Sequence, residues 1–182
     1  MSDTPKSRDN RPSHASQGKS GHGETSADRD RVRPGERVGP VPNTTDAGLV
    51  FIGHIETPFR SRAECPRQGN HDGPICRLIL KPPYDEALQG LTAFDTIEVL
   101  YWLHEARRDL LTQVPRHDGV ASGTFALRSP VRPNPIGTSL VRLVSVEGPV
   151  VSVRGLDCLD GTPLLDIKPD RCAYSPLACD KS

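Results

Sequence analysis

From Leu49 onward, short runs rich in β-branched and aromatic residues alternate with breaks that carry glycine or proline. This punctuation constrains the fold more than any other feature, because glycine and proline supply the backbone geometry of turns and interrupt helices. The first run, Leu49 to Glu56, ends at Pro58. It is followed by Pro74 to Leu80 and by Thr96 to Ala106, whose Ile97, Val99, Tyr101 and Leu103 share one face. Further runs cover Gly123 to Arg128, Ser139 to Glu147, Val151 to Asp157 and Pro163 to Lys168. Only Pro83 to Leu91 and Glu105 to Gln113 read as helical, and both are short. Closely spaced strands with few helices predict a mainly β chain, a single β-barrel in preference to a doubly wound sheet.

Residues 1–48 contain no aromatic residue and no hydrophobic periodicity. Such a segment buries too little apolar surface to offset the entropy of ordering its backbone, so it is expected to be a disordered tail. Arg29, Arg31, Arg33 and Arg37 alternate there with Asp28, Asp30 and Glu36, which favours a solvated tail over an RNA-binding arm. The barrel domain is expected over 49–182. Lys plus Arg number 23 and Asp plus Glu number 23, so global charge draws the chain toward neither nucleic acid nor an acidic membrane. No apolar stretch approaches the ~20 residues of a spanning helix.

Cys65, Cys76, Cys158, Cys172 and Cys179 are odd in number and contain no CxxC pair. They are expected to be free thiols in a reducing, cytoplasmic compartment, with no metal site. The strand–GxGxxG–helix unit of dinucleotide folds, the Walker loop, HExxH, GxSxG and EF-hand patterns are all missing.

Three polar stretches interrupt the β runs. Cys65 to Pro74 carries Arg67, Gln68, Asn70, His71 and Asp72 around Gly69 and Gly73. Leu127 to Leu140 alternates prolines with Arg132 and Asn134 and contains Gly137; fixed proline φ angles make it a stiff presenter of Arg128, Arg132 and Asn134. Gly155 to Asp170 places Asp157, Asp160 and Asp166 beside the Asp160-Gly161 turn. Residue types alone lead to a polar cleft lined by arginine and aspartate, and do not name a reaction.

The segments "IGHIETPF", "PRQG", "YWLHEARRDLL", "LRSPVRPNPIGTSL" and "GLDCLDGTPLLDIKP" together resemble the TsaA-like (TrmO) family over Leu49 to Pro169. The resemblance implies a single β-barrel, S-adenosylmethionine as cofactor, and a homodimer with the cofactor near the interface. It also implies N6-methylation of N6-threonylcarbamoyladenosine beside the tRNA anticodon. Carried over by motif, the implied cofactor contacts are Gln68, Gly69 and Asn70, then His104 and Glu105. Arg128, Leu140, Asp157, Cys158, Leu159 and Asp160 complete them.

These residue types suit a sulfonium cofactor. Carboxylates answer its cationic groups, Arg128 answers its carboxylate, and Leu140 offers adenine an apolar wall. His104 closes an apolar run, where a histidine is either hydrogen-bonded in the core or presented to a cleft; the resemblance selects the cleft. Asp160 or His104 is the expected proton acceptor in methyl transfer, with Arg132 and Asn134 holding the acceptor substrate. The family's usual "DIKPY" is here "DIKPD", and Asp170 removes an aromatic able to stack on a base. The family's bacterial tRNA-modifying members continue into a further carboxy-terminal region after this point. Two alternatives therefore remain open: methylation of a small-molecule or other acceptor, and a non-catalytic module that binds the cofactor.

Overall fold

The computed structural model of the chain describes residues 31–40, 46–115 and 119–170. Nine strands are present in this part: β1 (Arg37–Val38), β2 (Gly53–Glu56), β3 (Ile75–Leu80), β4 (Thr96–Trp102), β5 (Leu110–Gln113), β6 (Ser122–Gly123), β7 (Ile136–Glu147), β8 (Val150–Arg154) and β9 (Thr162–Pro169). Six of them close into a barrel in the order β2-β3-β8-β7-β4-β9, with every pairing antiparallel. The sequence expectation of a mainly β, barrel-forming chain is met.

Closure works because alternate residues of each strand point inward. Ile55 of β2, Cys76, Leu78 and Leu80 of β3, Ile97, Val99 and Tyr101 of β4, Val141 of β7, Val151 and Val153 of β8 and Leu164 of β9 are all buried. Their removal from water is the main stabilising term, about 1.5–3 kcal/mol for each large aliphatic side chain. Leu88, Leu91, Leu156 and Cys158, from the connecting segments, complete the same core.

A second sheet, β1-β5-β6, is built from short pieces. Part of the stretch expected to be a tail belongs to it: Arg37 pairs with Thr112 and Val38 with Leu110. Glu36 ties this strand further, because its Oε2 accepts the Arg33 N–H at 2.8 Å and its Oε1 the Val114 N–H at 3.2 Å. An edge strand of this kind is held by main-chain pairing and needs few apolar side chains, which is why hydrophobic periodicity does not announce it. The rest of the expected tail lies outside the described residues or forms no strand or helix in them.

Both helical expectations need correction. Residues 83–91 contain a 3-10 turn at Tyr84–Leu88, followed by another at Leu91–Ala93, and no α-helix. Residues 105–113 enter a turn in which the Ala106 N–H reaches the Leu103 carbonyl at 3.0 Å, and then become β5. Tertiary pairing overrides helix propensity there, because Thr112 is flanked by Arg37 and Gly123 and buried Gln113 donates to the Val131 carbonyl at 2.7 Å. The run expected as a strand at 123–128 gives one β6 residue and then a 3-10 turn at Thr124–Ala126. Buried Thr124 causes the curl, with its hydroxyl donating to the Leu110 carbonyl at 2.8 Å and its own carbonyl capping the Leu127 N–H. Toward the amino terminus, β2 is shorter than expected, and Leu49 and Val50 are exposed.

Candidate cofactor site

The segments 57–74, 103–109, 127–135 and 155–161 all leave the strands at one end of the barrel, since β2, β4 and β8 finish there and β3, β7 and β9 begin there. Contacts between them define a site.

The 65–74 loop lies on the first turn after β8. A Cβ at Gly69 would fall 1.7 Å from the Gly155 carbonyl oxygen, so only glycine permits this approach. Gly155 has φ +116° and itself faces the His71 ring. The His71 Nε2 lies 3.0 Å from the Leu140 carbonyl oxygen, and the Arg154 guanidinium donates to the Gly73 carbonyl. Asn70 closes a small turn, its Oδ1 accepting the Asp72 N–H at 2.9 Å. Gly69, Asn70, Leu140 and the 155–158 segment are therefore brought together.

Beneath that loop, Asp157 receives a hydrogen-bond network from the barrel interior. The Tyr101 hydroxyl donates to Asp157 Oδ1 at 2.7 Å, and Ser139 Oγ lies 2.8 Å from the phenolic oxygen and 3.3 Å from the same carboxylate oxygen. Burial and the adjacent Asp157 charge push the Tyr101 hydroxyl far above the ordinary tyrosine range, so it remains a donor. Asp157 itself is only half-buried.

Half-buried Cys65 senses the same region. Burial raises its thiol, and the negative charges of Asp157, Glu64 and Glu105 raise it further. Asp157, Glu64 and Glu105 thus all lie near enough to act on one sulfur, and Glu105 also faces Arg62. Arg62 fastens the Glu105 turn, its guanidinium donating to the Glu105 carbonyl with Nε 3.7 Å from Oε2.

Several expected residues occupy places that sequence alone does not reveal. His104 is exposed in the turn after β4, which removes the core-histidine alternative. Arg132 is turned back on its own loop, donating to the Ser129 carbonyl at 3.0 Å and the Leu127 carbonyl at 2.6 Å. The proline-rich segment is braced by this arginine, and also by Arg108, which donates to the Pro133 carbonyl at 2.7 Å while lying 5.3 Å over the Trp102 ring. Arg128, Asn134 and Gln68 are exposed, and no described contact ties Arg128 to Asp157. The Cys158 side chain belongs to the core, so that residue presents only backbone; its carbonyl accepts the Thr57 hydroxyl at 3.0 Å. The Leu159 carbonyl accepts the Thr162 hydroxyl at 2.7 Å.

Asp160 is committed on both oxygens: Oδ1 accepts the Thr57 N–H at 3.0 Å and Oδ2 the Arg60 guanidinium. It borders an open groove with His54, Glu56, Ile75 and Arg77. Its arrangement is that of a turn clamp.

Sequence reasoning missed Tyr101, Ser139, Cys65 and Arg62 as parts of the site. The available signal was Tyr101, a hydroxyl on the otherwise aliphatic inward face of β4, since a buried phenol needs a partner. Cys65, Cys76 and Cys158 are free thiols, and Cys172 and Cys179 lie outside the described residues.

Residues 54–175 match the tRNA-methyltransferase O N-terminal domain. A probable S-adenosyl-L-methionine-binding protein, VirR, of Rhizobium radiobacter is 53% identical over 148 residues, covering 81% of this chain and 85% of the relative. A tRNA (adenine(37)-N6)-methyltransferase of Mus musculus is 37% identical over 142 residues, covering 72% of this chain but 33% of the mouse protein. The crystal structure of TrmO from Pseudomonas aeruginosa is 34% identical with a TM-score of 0.61, covering 74% of this chain and 60% of that one. The chain thus spans most of VirR and only part of the mouse protein and of the Pseudomonas structure. The motifs that make the site lie inside the matched span, and the chain belongs to the tRNA-methyltransferase O N-terminal domain family.

Proposed function

We propose that this chain is an S-adenosylmethionine-dependent methyltransferase acting on the N6 position of a tRNA adenosine, with N6-threonylcarbamoyladenosine beside the anticodon as its acceptor. The observation that carries the reading is the packing of the Gly69 loop on Gly155 and Leu140, beside the half-buried Asp157. The names of the relatives point to the same cofactor and to N6-methylation of a tRNA adenine.

The cofactor supplies an electrophilic methyl group carried on a positive sulfur. Asp157 and Glu105 provide the negative field for its cationic portion, and Arg128 the guanidinium for its carboxylate. Leu140, exposed beside the Gly69 loop, offers an apolar surface for adenine. Gln68 and Asn70, with the backbone of Cys158 and Leu159, add polar contacts. His104 is the better proton acceptor for the acceptor nitrogen, because Asp160 already has both oxygens engaged. Asn134 is free to meet the acceptor, whereas Arg132 acts by holding the loop that presents it.

We also propose a cytoplasmic homodimer. Exposed Ile136, Leu140 and Val144 lie on β7 with Thr138 and Arg142 between them, a mixed surface that could meet a second copy.

The reading is tested by titrating S-adenosylmethionine into the full chain, then assaying methyl transfer to tRNA with and without the threonylcarbamoyl group. Saturable binding and transfer to the modified tRNA alone support it. Transfer to small acceptors but not tRNA selects the alternative acceptor, and binding without transfer to any acceptor selects the cofactor-binding module.

A further inference from the structure

We propose that Tyr101 is a positioning residue of the cofactor site, acting with Ser139 to hold Asp157 Oδ1 and leave Oδ2 as the oxygen offered to the bound cation. The proposal rests on the reading that Asp157 faces S-adenosylmethionine.

Two independent features support it. The first is the hydrogen-bond geometry. With the phenol proton committed to Asp157 at 2.7 Å, the Ser139 proton is shared between the phenolic oxygen and the same carboxylate oxygen. Two donors therefore converge on Oδ1, and none is found for Oδ2 among the described residues. A half-buried carboxylate without such donors would rotate among several orientations, and a ligand would have to order it on binding. Here folding has already set its direction.

The second is the seat of the ring. A Cβ at Gly137 would lie 2.2 Å from Tyr101 Cε2, so the ring rests directly on the Gly137 backbone. Tyr101 and Gly137 are opposite one another in the β4–β7 pairing. The glycine of the "RPNPIG" segment thus makes room for the ring whose hydroxyl reaches Asp157. Tyr101 as a whole is 3% exposed, so solvent does not compete for the bond.

The test is calorimetric titration of S-adenosylmethionine into the full chain as wild type, Tyr101→Phe, Asp157→Asn and the double variant. Tyr101→Phe keeps the ring and removes only the hydroxyl. We expect roughly tenfold weaker binding by Tyr101→Phe, the scale of one hydrogen bond to a charged group, with the melting temperature little changed. On the Asp157→Asn background the same substitution should cost nothing further, because its effect passes through the carboxylate. Should Tyr101→Phe fold poorly, Ser139→Ala gives the same comparison and is expected to weaken binding several-fold. Wild-type affinity in Tyr101→Phe, with Asp157→Asn impaired, overturns the inference and leaves the site intact. Equal losses on both backgrounds overturn it as well, since they mark a purely structural role. If the wild-type chain binds no S-adenosylmethionine, the cofactor reading fails and this inference falls with it.

Discussion

Gly69 and Gly155 meet backbone against backbone, so closely that a methyl group on Gly69 would overlap the Gly155 carbonyl oxygen at 1.7 Å. The obstacle is main chain and cannot rotate away. Gly69→Ala should therefore lift the 65–74 loop from Leu140 and Asp157, weakening S-adenosylmethionine binding by at least tenfold. The barrel core lies below this contact, so the melting temperature should fall by only a few degrees. Calorimetric titration and thermal denaturation of the same preparation check both parts. Unchanged affinity would show that the loop does not touch the cofactor.

Gly137 presents the opposite case, a glycine whose replacement strikes the core. Its added methyl would meet the Tyr101 ring at 2.2 Å, within a buried strand pairing. Overpacking of this kind costs about 1–3 kcal/mol, or several degrees of melting temperature for a domain of this size. Gly123→Ala is the control, because nothing lies within 4 Å of the added Cβ and its φ of −60° suits any residue. A Gly137→Ala protein that melts with wild type would mean that the ring has another seat available.

Much of this arrangement is legible in the amino-acid sequence, and the illegible part has physical causes. The inward row Ile97, Val99, Tyr101 appears as period-two alternation, and burial confirms it. The stiffness of the proline segment is also legible, but not the return of Arg132 to the Ser129 and Leu127 carbonyls, because that depends on a loop closure no local pattern encodes. Leu110 to Gln113 read as helical because propensity is local, whereas pairing with Arg37 and Gly123 joins residues far apart in the chain. Asp157 and Asp160 look equivalent in "LDCLD"; only the fold separates the one with an available oxygen from the one clamped by Thr57 and Arg60.

Acid should loosen the small sheet before the barrel. Burial works to raise the Glu36 carboxyl, but the N–H groups of Arg33 and Val114 together with the Arg33 charge outweigh it and hold it below the ordinary range. Asp109 is lowered by its hydrogen bonds from Arg107. A carboxylate with a depressed folded pKa contributes stability above its unfolded value, about 4.3 for Glu and 3.9 for Asp, and loses it as pH falls through the folded value. The melting temperature should therefore decline as pH falls below about 5, and Glu36→Gln should flatten part of that decline. An identical slope in the variant would show that Glu36 does not couple β1 to the fold.

Asp157 and Asp160 should separate cleanly on substitution. Asp160→Asn keeps an oxygen for the Thr57 N–H and gives up the ion pair with Arg60, whose side chain is 74% exposed. Exposed pairs contribute about 0–1 kcal/mol, so the fold should barely notice. Asp157→Asn removes the charge of the carboxylate that the Tyr101 hydroxyl holds. S-adenosylmethionine affinity should thus fall tenfold or more for Asp157→Asn and less than threefold for Asp160→Asn. The turnover of Asp160→Asn on tRNA decides its remaining role. If turnover drops a hundredfold while cofactor affinity holds, Asp160 is the proton acceptor despite its clamped geometry, and His104 is not; if turnover persists and His104→Ala loses it, the assignment to His104 stands.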